Sequence, residues 1–108
     1  MIGKLEESCL LAMKVAGSKV LASRVHEVLE NRTGKSFRFS AIYTTLDRMV
    51  DKCWVEVETS SAPEGGRKRR YFRISAKGNE VLNDSLKMTR HLIQAKMNLA
   101  NIEKKGFI

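Results

Sequence analysis

The apolar spacing of this chain changes period once and then changes back, and that double switch constrains its fold more than any other feature. From Leu5 to Ala16 the residues Leu5, Cys9, Leu10, Ala12, Met13 and Ala16 recur at helical steps and mark one face of an amphipathic helix. Gly17 breaks it, and Ser18 is a natural N-cap for a second helix with Leu21, Val25, Val28 and Leu29 as its stripe, running to about Arg32 before the polar stop "NRTGK". Ser40 can cap a third helix through about Lys52, with Ile42, Leu46, Met49 and Val50 facing inward. The period then drops to two. "CWVEVET" sets Val55 and Val57 against Trp54, Glu56 and Glu58, and "RRYFRIS" puts Phe72 and Ile74 in phase, so two strands joined by a Ser, Pro and Gly rich turn form a hairpin. From Ser75, a further N-cap, the helical period resumes and runs to about Lys104, with only Gly78 against it.

Three helices, one hairpin and a long last helix make an α+β, mainly α, chain with the element order of a winged helix-turn-helix, in which the third helix enters a major groove and the hairpin reaches the flanking backbone. A chain of 108 residues buries one compact core and little more. The expected division is residues 1–75 for the winged helix-turn-helix and 76–108 for a C-terminal dimerisation helix. A last helix of about 28 residues is ~42 Å long, more than so small a domain can cover. Along it Leu82, Leu86, Thr89, Ile93, Met97 and Ala100 follow a near-heptad seam, which a partner helix would bury.

The net charge is +8, and its densest cluster is Arg67, Lys68, Arg69, Arg70 and Arg73, with no acid among them. Such a cation excess attracts phosphate backbones through counterion release. A solvated basic hairpin that discourages edge pairing is the plain alternative for the same run. Its placement directly after a capped amphipathic helix favours phosphate contact, with Arg67, Lys68 and Arg69 near the tip positioning the protein without reading sequence. Arg70, in phase with Phe72, is expected to turn partly inward, and Arg73 to pair across the hairpin with Glu56 or Glu58.

Other chemistries find little support. His26 and His91 stand alone, without metal-ligand spacing or a nucleophile beside them, and "GGRKRR" lacks the Lys-Ser/Thr ending of a phosphate-cradling loop. Neither an enzyme, a metal site nor a cofactor is expected. Cys9 and Cys53 read as reduced, buried thiols. No stretch reaches the ~18 to 20 apolar residues of a membrane span, and the N-terminus does not resemble a signal peptide, so the expected location is the cytoplasm.

"FSAIYTTLDRM" followed by "EGGRKRRYFRISAKG" resembles the PadR family of bacterial transcriptional regulators, over roughly residues 4 to 83. The family's helix-three pattern is matched by Tyr43, Leu46 and Arg48, its glycine-pair wing by Gly65, Gly66, Arg67, Lys68 and Arg69, and its strand end and following helix start by Tyr71, Phe72, Ile74, Ser75 and Gly78. Ser40 stands where many members have glycine, Val50 where glutamate is common, and Cys53 where glycine usually ends helix three. A non-glycine residue at that helix end carries the cost of any left-handed conformation.

The resemblance implies a homodimeric repressor of the short subgroup, with a single C-terminal helix and an interface between N-terminal and C-terminal helices, here Leu5 with Leu82, Leu86, Ile93, Met97 and Ala100. It implies double-stranded DNA as partner, in the form of a palindromic operator, and allows a small-molecule effector. Candidate DNA contacts are Lys35, Ser36 and Arg38 before helix three, Ser40, Tyr43, Thr44 and Arg48 on it, and Arg67, Lys68 and Arg69 on the wing. Trp54 packs at the base of the wing or lines a small-molecule site. The rival reading is a winged-helix interaction module whose basic wing meets an acidic protein.

Overall fold

The computed structural model describes residues 2–60, 66 and 68–104. In chain order they form α1 (Lys4–Ala16), α2 (Ala22–Thr33), α3 (Phe39–Asp51), β1 (Val55–Ser60), β2 (Arg69–Ile74) and α4 (Ala76–Lys104). This is the expected order. The two strands pair antiparallel, in register from Val55 opposite Ile74 to Ser60 opposite Arg69. The predicted hairpin turn, with Gly65 and the proposed contact Arg67, lies outside the described residues.

Cys9, Leu10 and Met13 of α1 meet Val25 and Leu29 of α2, Ile42, Leu46 and Met49 of α3, Val55 and Phe72 of the hairpin and Leu82 of α4 in one buried cluster. The stripes identified by period are thus the faces that pack. Cys9 is fully buried, and that burial, with the nearby Glu6 charge adding to it, pushes its thiol up to about 12. Cys53 is exposed, against expectation, because it stands in the turn that leaves α3.

Two helix starts differ from the sequence expectation. The second helix begins at Ala22 instead of after Ser18, because Val20 bonds to Phe72 in both directions, with N···O distances of 2.9 and 2.7 Å, as an isolated antiparallel bridge on the strand β2. Backbone groups spent on a strand cannot open a helix. The third helix starts at Phe39, with Arg38 at the N-cap and no side-chain cap bond, so Ser40 lies inside the first turn and is not the cap. The Phe37 N–H donates to Glu30 Oε2 at 3.0 Å, and His26 Nε2 lies 2.7 Å from the Phe37 carbonyl, which sets the turn between α2 and α3 before Ser40 is reached.

The remaining ends follow expectation. Gly34 takes the left-handed conformation after α2, with φ 69°. Ser75 caps α4: its Oγ accepts the Gly78 N–H at 3.0 Å and donates to the Cys53 carbonyl at 2.6 Å. A Cβ on Gly78 would stand 2.0 Å from the Trp54 carbonyl oxygen, so only glycine lets α4 approach the start of the hairpin this closely.

The long helix has two halves. Leu82 is 1% exposed and Leu86 packs on the core, but every residue from 87 to 101 is exposed. Leu82 therefore belongs to the core of its own chain and is withdrawn from the proposed dimer seam, which its heptad position alone could not show.

Candidate nucleic-acid interface

Helix two, its turn and helix three are tied by local chemistry. Thr33 Oγ1 donates to the Leu29 carbonyl at 2.6 Å and accepts the Lys35 N–H at 3.2 Å, and Glu30 and His26 hold Phe37 from above. Lys35, Ser36 and Arg38 are left exposed on this turn. On α3, Ile42, Thr45, Leu46 and Met49 are buried, which turns Ser40, Thr44 and Arg48 outward.

Tyr43 and Asp47, one helical turn apart, share a partner on the wing. Arg70 Nη1 donates to the Tyr43 hydroxyl oxygen and Nη2 to Asp47 Oδ1 at 3.0 Å. The guanidinium also lies 5.2 Å from the Tyr43 ring centre and 5.1 Å from that of Phe72, which meets Tyr43 edge-on at 6.1 Å. The Tyr43 hydrogen bond, ahead of the Asp47 carboxylate, pushes the Arg70 pKa above its ordinary value despite the opposing effect of burial. Arg70 is therefore a clasp between the helix and the wing.

The end of α3 is fixed separately. The Trp54 N–H reaches the Met49 carbonyl and the Cys53 N–H that of Val50, both at 2.9 Å, around a left-handed Cys53 with φ 65°. These two bonds form the Schellman closure that glycine usually serves, so the conformation is kept here with a side chain present and its steric cost paid. Lys52 Nζ bonds Glu6 Oε2 at 2.6 Å and lies 4.6 Å from the Trp54 ring centre. Burial raises the Glu6 pKa, but the hydrogen bonds from Lys52 and the Gly3 N–H, with the charges of Lys52 and Arg48, outweigh it and hold the carboxyl below its usual range.

The cations divide by role. Lys19 pairs with Glu58, Lys52 with Glu6, Arg70 with Asp47 and Arg73 with Glu56. Among the described residues no carboxylate pairs with Lys35, Arg38, Arg48, Lys68 or Arg69. An open cleft of about 270 Å³ brings Lys68 and Arg70 of the wing beside Phe39 and Tyr43 of α3 and Ala22 and Ser23 at the start of α2. Helix three and the wing thus share one basic surface. Arg48, whose charge reaches Glu6, stands toward the α1 edge of it.

Sequence reading missed the pairing of Asp47 with Arg70 and the exposed ring of Phe39. Starting the helix at Ser40 removed Phe39 from the wheel, and no local signal marks which acid a wing arginine will choose. Trp54 is half-buried against the core and also forms, with Ile2, Val81, Asp84, Ser85 and Met88, the wall of an open cleft of about 310 Å³. Among the described residues no cluster of His, Cys, Asp or Glu could hold a metal ion, and no helix is long and apolar enough to cross a membrane.

Solved structures share this architecture. A PadR family transcription regulator from hypervirulent Clostridium difficile aligns over 91% of this chain and 99% of its own, with TM-score 0.74 and 13% identity. Bacillus subtilis PadR in complex with operator DNA aligns over 76% of this chain and 46% of its own, with TM-score 0.65 and 19% identity. A winged-helix DNA-binding protein from STIV covers 81% and 88%, with TM-score 0.64 and 15% identity. At these identities the likeness establishes the fold. No curated protein sequence matches significantly. The sequence model of the transcriptional regulator PadR-like family matches residues 18–84, from the segment before α2 to the packed part of α4, and the chain therefore belongs to that family of DNA-binding transcriptional regulators.

Proposed function

We infer that the protein is a sequence-specific, homodimeric repressor that lays α3 in the major groove and its wing on the flanking phosphates. One observation carries the reading: the Arg70 clasp brings the wing cation Lys68, which has no carboxylate partner among the described residues, and the exposed side of α3 to a common surface. Lys35, Ser36, Arg38, Lys68 and Arg69, with Arg67 beside them in sequence, contact phosphates; Ser40, Tyr43 and Thr44 face the groove, and Arg48 reaches backbone at the edge.

The second half of α4 supports the dimer. Ile93 and Met97 are 52% and 56% exposed, and Met88, Leu92 and Leu99 add a neighbouring apolar stripe. Leu5 and Leu86, both half-buried, contribute at the edge, and Ala100 continues the seam. Two-fold pairing requires a roughly palindromic operator with half-sites one or two helical turns apart. An effector that binds a dimer geometry unable to span both half-sites would release it, and the Trp54 cleft is where a small apolar molecule has room.

The test is selection from random DNA duplexes at about 150 mM salt, with Lys68→Ala/Arg69→Ala alongside. A palindrome should be enriched, and the double variant, which removes two cations from each of two protomers, should bind it more weakly with a log–log salt slope smaller by about 3.6. Binding without preference among sequences would refute the reading.

A further inference from the structure

Phe39 is the first residue of α3 and keeps 45% of its surface exposed, while Phe72 is fully buried. A lone exposed apolar residue is ordinary in a folded protein. This ring, however, is held in place. His26 meets it edge-on, with centroids 5.8 Å apart and planes at 79°, and Tyr43 lies at 6.1 Å and 47°. A side chain already fixed by its neighbours loses little freedom on binding.

Its position gives the ring something to meet. In helix-turn-helix docking the N-terminal residues of the recognition helix approach base edges, and Phe39 lines the same cleft as Tyr43, Lys68 and Arg70. Major-groove edges offer hydrogen-bonding groups at every base pair but only one apolar group, the C5 methyl of thymine. The neighbours discriminate poorly: the Tyr43 oxygen accepts from Arg70 and keeps only its O–H, which any base acceptor satisfies, Lys68 is suited to phosphate, and the Ser40 hydroxyl both donates and accepts.

We propose that Phe39 is a specificity residue that selects thymine in each operator half-site by packing its ring against the C5 methyl. The inference rests on the DNA-binding reading above and adds the base that this position reads.

The experiment replaces each thymine of the selected operator, one at a time, by 2′-deoxyuridine, which removes the methyl and leaves pairing intact. One thymine per half-site should then show binding weakened about fourfold, the scale of burying one methyl group. Phe39→Ala should bind the thymine and uracil operators equally, and Phe39→Leu should keep part of the difference. A half-site without thymine, wild-type binding indifferent to every methyl, or an equal methyl effect in Phe39→Ala would overturn the proposal. The uracil series on the wild-type protein stands even where a variant fails to fold. Enrichment without methyl dependence would overturn this inference alone, whereas no enrichment at all would overturn the operator reading together with it.

Discussion

The two ends of this molecule are both exposed, but they are exposed for opposite reasons. Around α3 and the wing, polar side chains are already committed within the chain: Arg70 to Tyr43 and Asp47, Lys52 to Glu6, Glu30 to Phe37. What remains outward there is a set of cations without a carboxylate partner among the described residues, the hydroxyls of Ser40 and Thr44, and one aromatic ring held by its neighbours. Along α4 beyond Leu86 none of the described residues folds back, and Met88, Leu92, Ile93, Met97 and Leu99 stand in water. The first surface is organised by its own chain, and the second is the one we propose a second copy covers. Charge can wait in solvent at little cost, whereas an apolar seam gains only when covered.

Leu82→Ala and Ile93→Ser/Met97→Ser separate the two halves of α4 most sharply. The first empties a core position and should cost about 3 kcal/mol of stability, read by denaturant unfolding at any protein concentration. The second should leave the fold of each chain intact and weaken self-association, read by sedimentation across a concentration series. Equal effects on both measurements would erase the boundary drawn at Leu86.

At the junction between α3 and the hairpin, Cys53→Gly should raise stability by up to about 1 kcal/mol, because glycine accepts φ 65° without the steric cost. A lower melting temperature would show that the thiol side chain makes a compensating contact.

Asp47→Asn tests the clasp through the sign of its effect. Removing an acid from the surface proposed to face phosphates should tighten DNA binding by charge alone. If Asp47 serves to hold Arg70, operator affinity should instead fall by about threefold, the scale of one lost surface interaction. Arg70→Gln should weaken binding similarly without changing the salt slope, since a clasp neutralises no phosphate.

The smallest effect expected is that of Glu6, which ties α1 to the end of α3. Its folded pKa is depressed, so its contribution is fully present above the ordinary glutamate value of about 4.3 and is lost as pH falls through the lower folded value. Glu6→Gln should reduce the acid sensitivity of thermal stability in that window and leave neutral-pH DNA binding unchanged. An unaltered pH profile would place the acid response elsewhere.

Much of this architecture was legible because periodicity reports which face of an element is buried. The stripes of α1, α2 and α3, the phase of Phe72, the Ser75 cap and the Arg73–Glu56 pair are all local consequences of spacing. Such readings need only the residue order and the geometry of helix and strand. The start of α2 was hidden by Val20, whose strand partner Phe72 lies far along the chain. The start of α3 was hidden by Glu30 and His26 acting on Phe37.

Periodicity and charge were enough to lay out the element order of a winged helix with a basic hairpin, because both follow from intervals along the chain, and the resemblance of the α3 and wing segments to a known family sharpened it. Only the tertiary structure decided that Leu82 is core and Ile93 is not, that Arg70 pairs with Asp47, and that Phe39 stands exposed beside Tyr43. Each of these is a choice between partners distant in sequence. Spacing says which way a side chain points, but what it meets there depends on where the rest of the chain has folded.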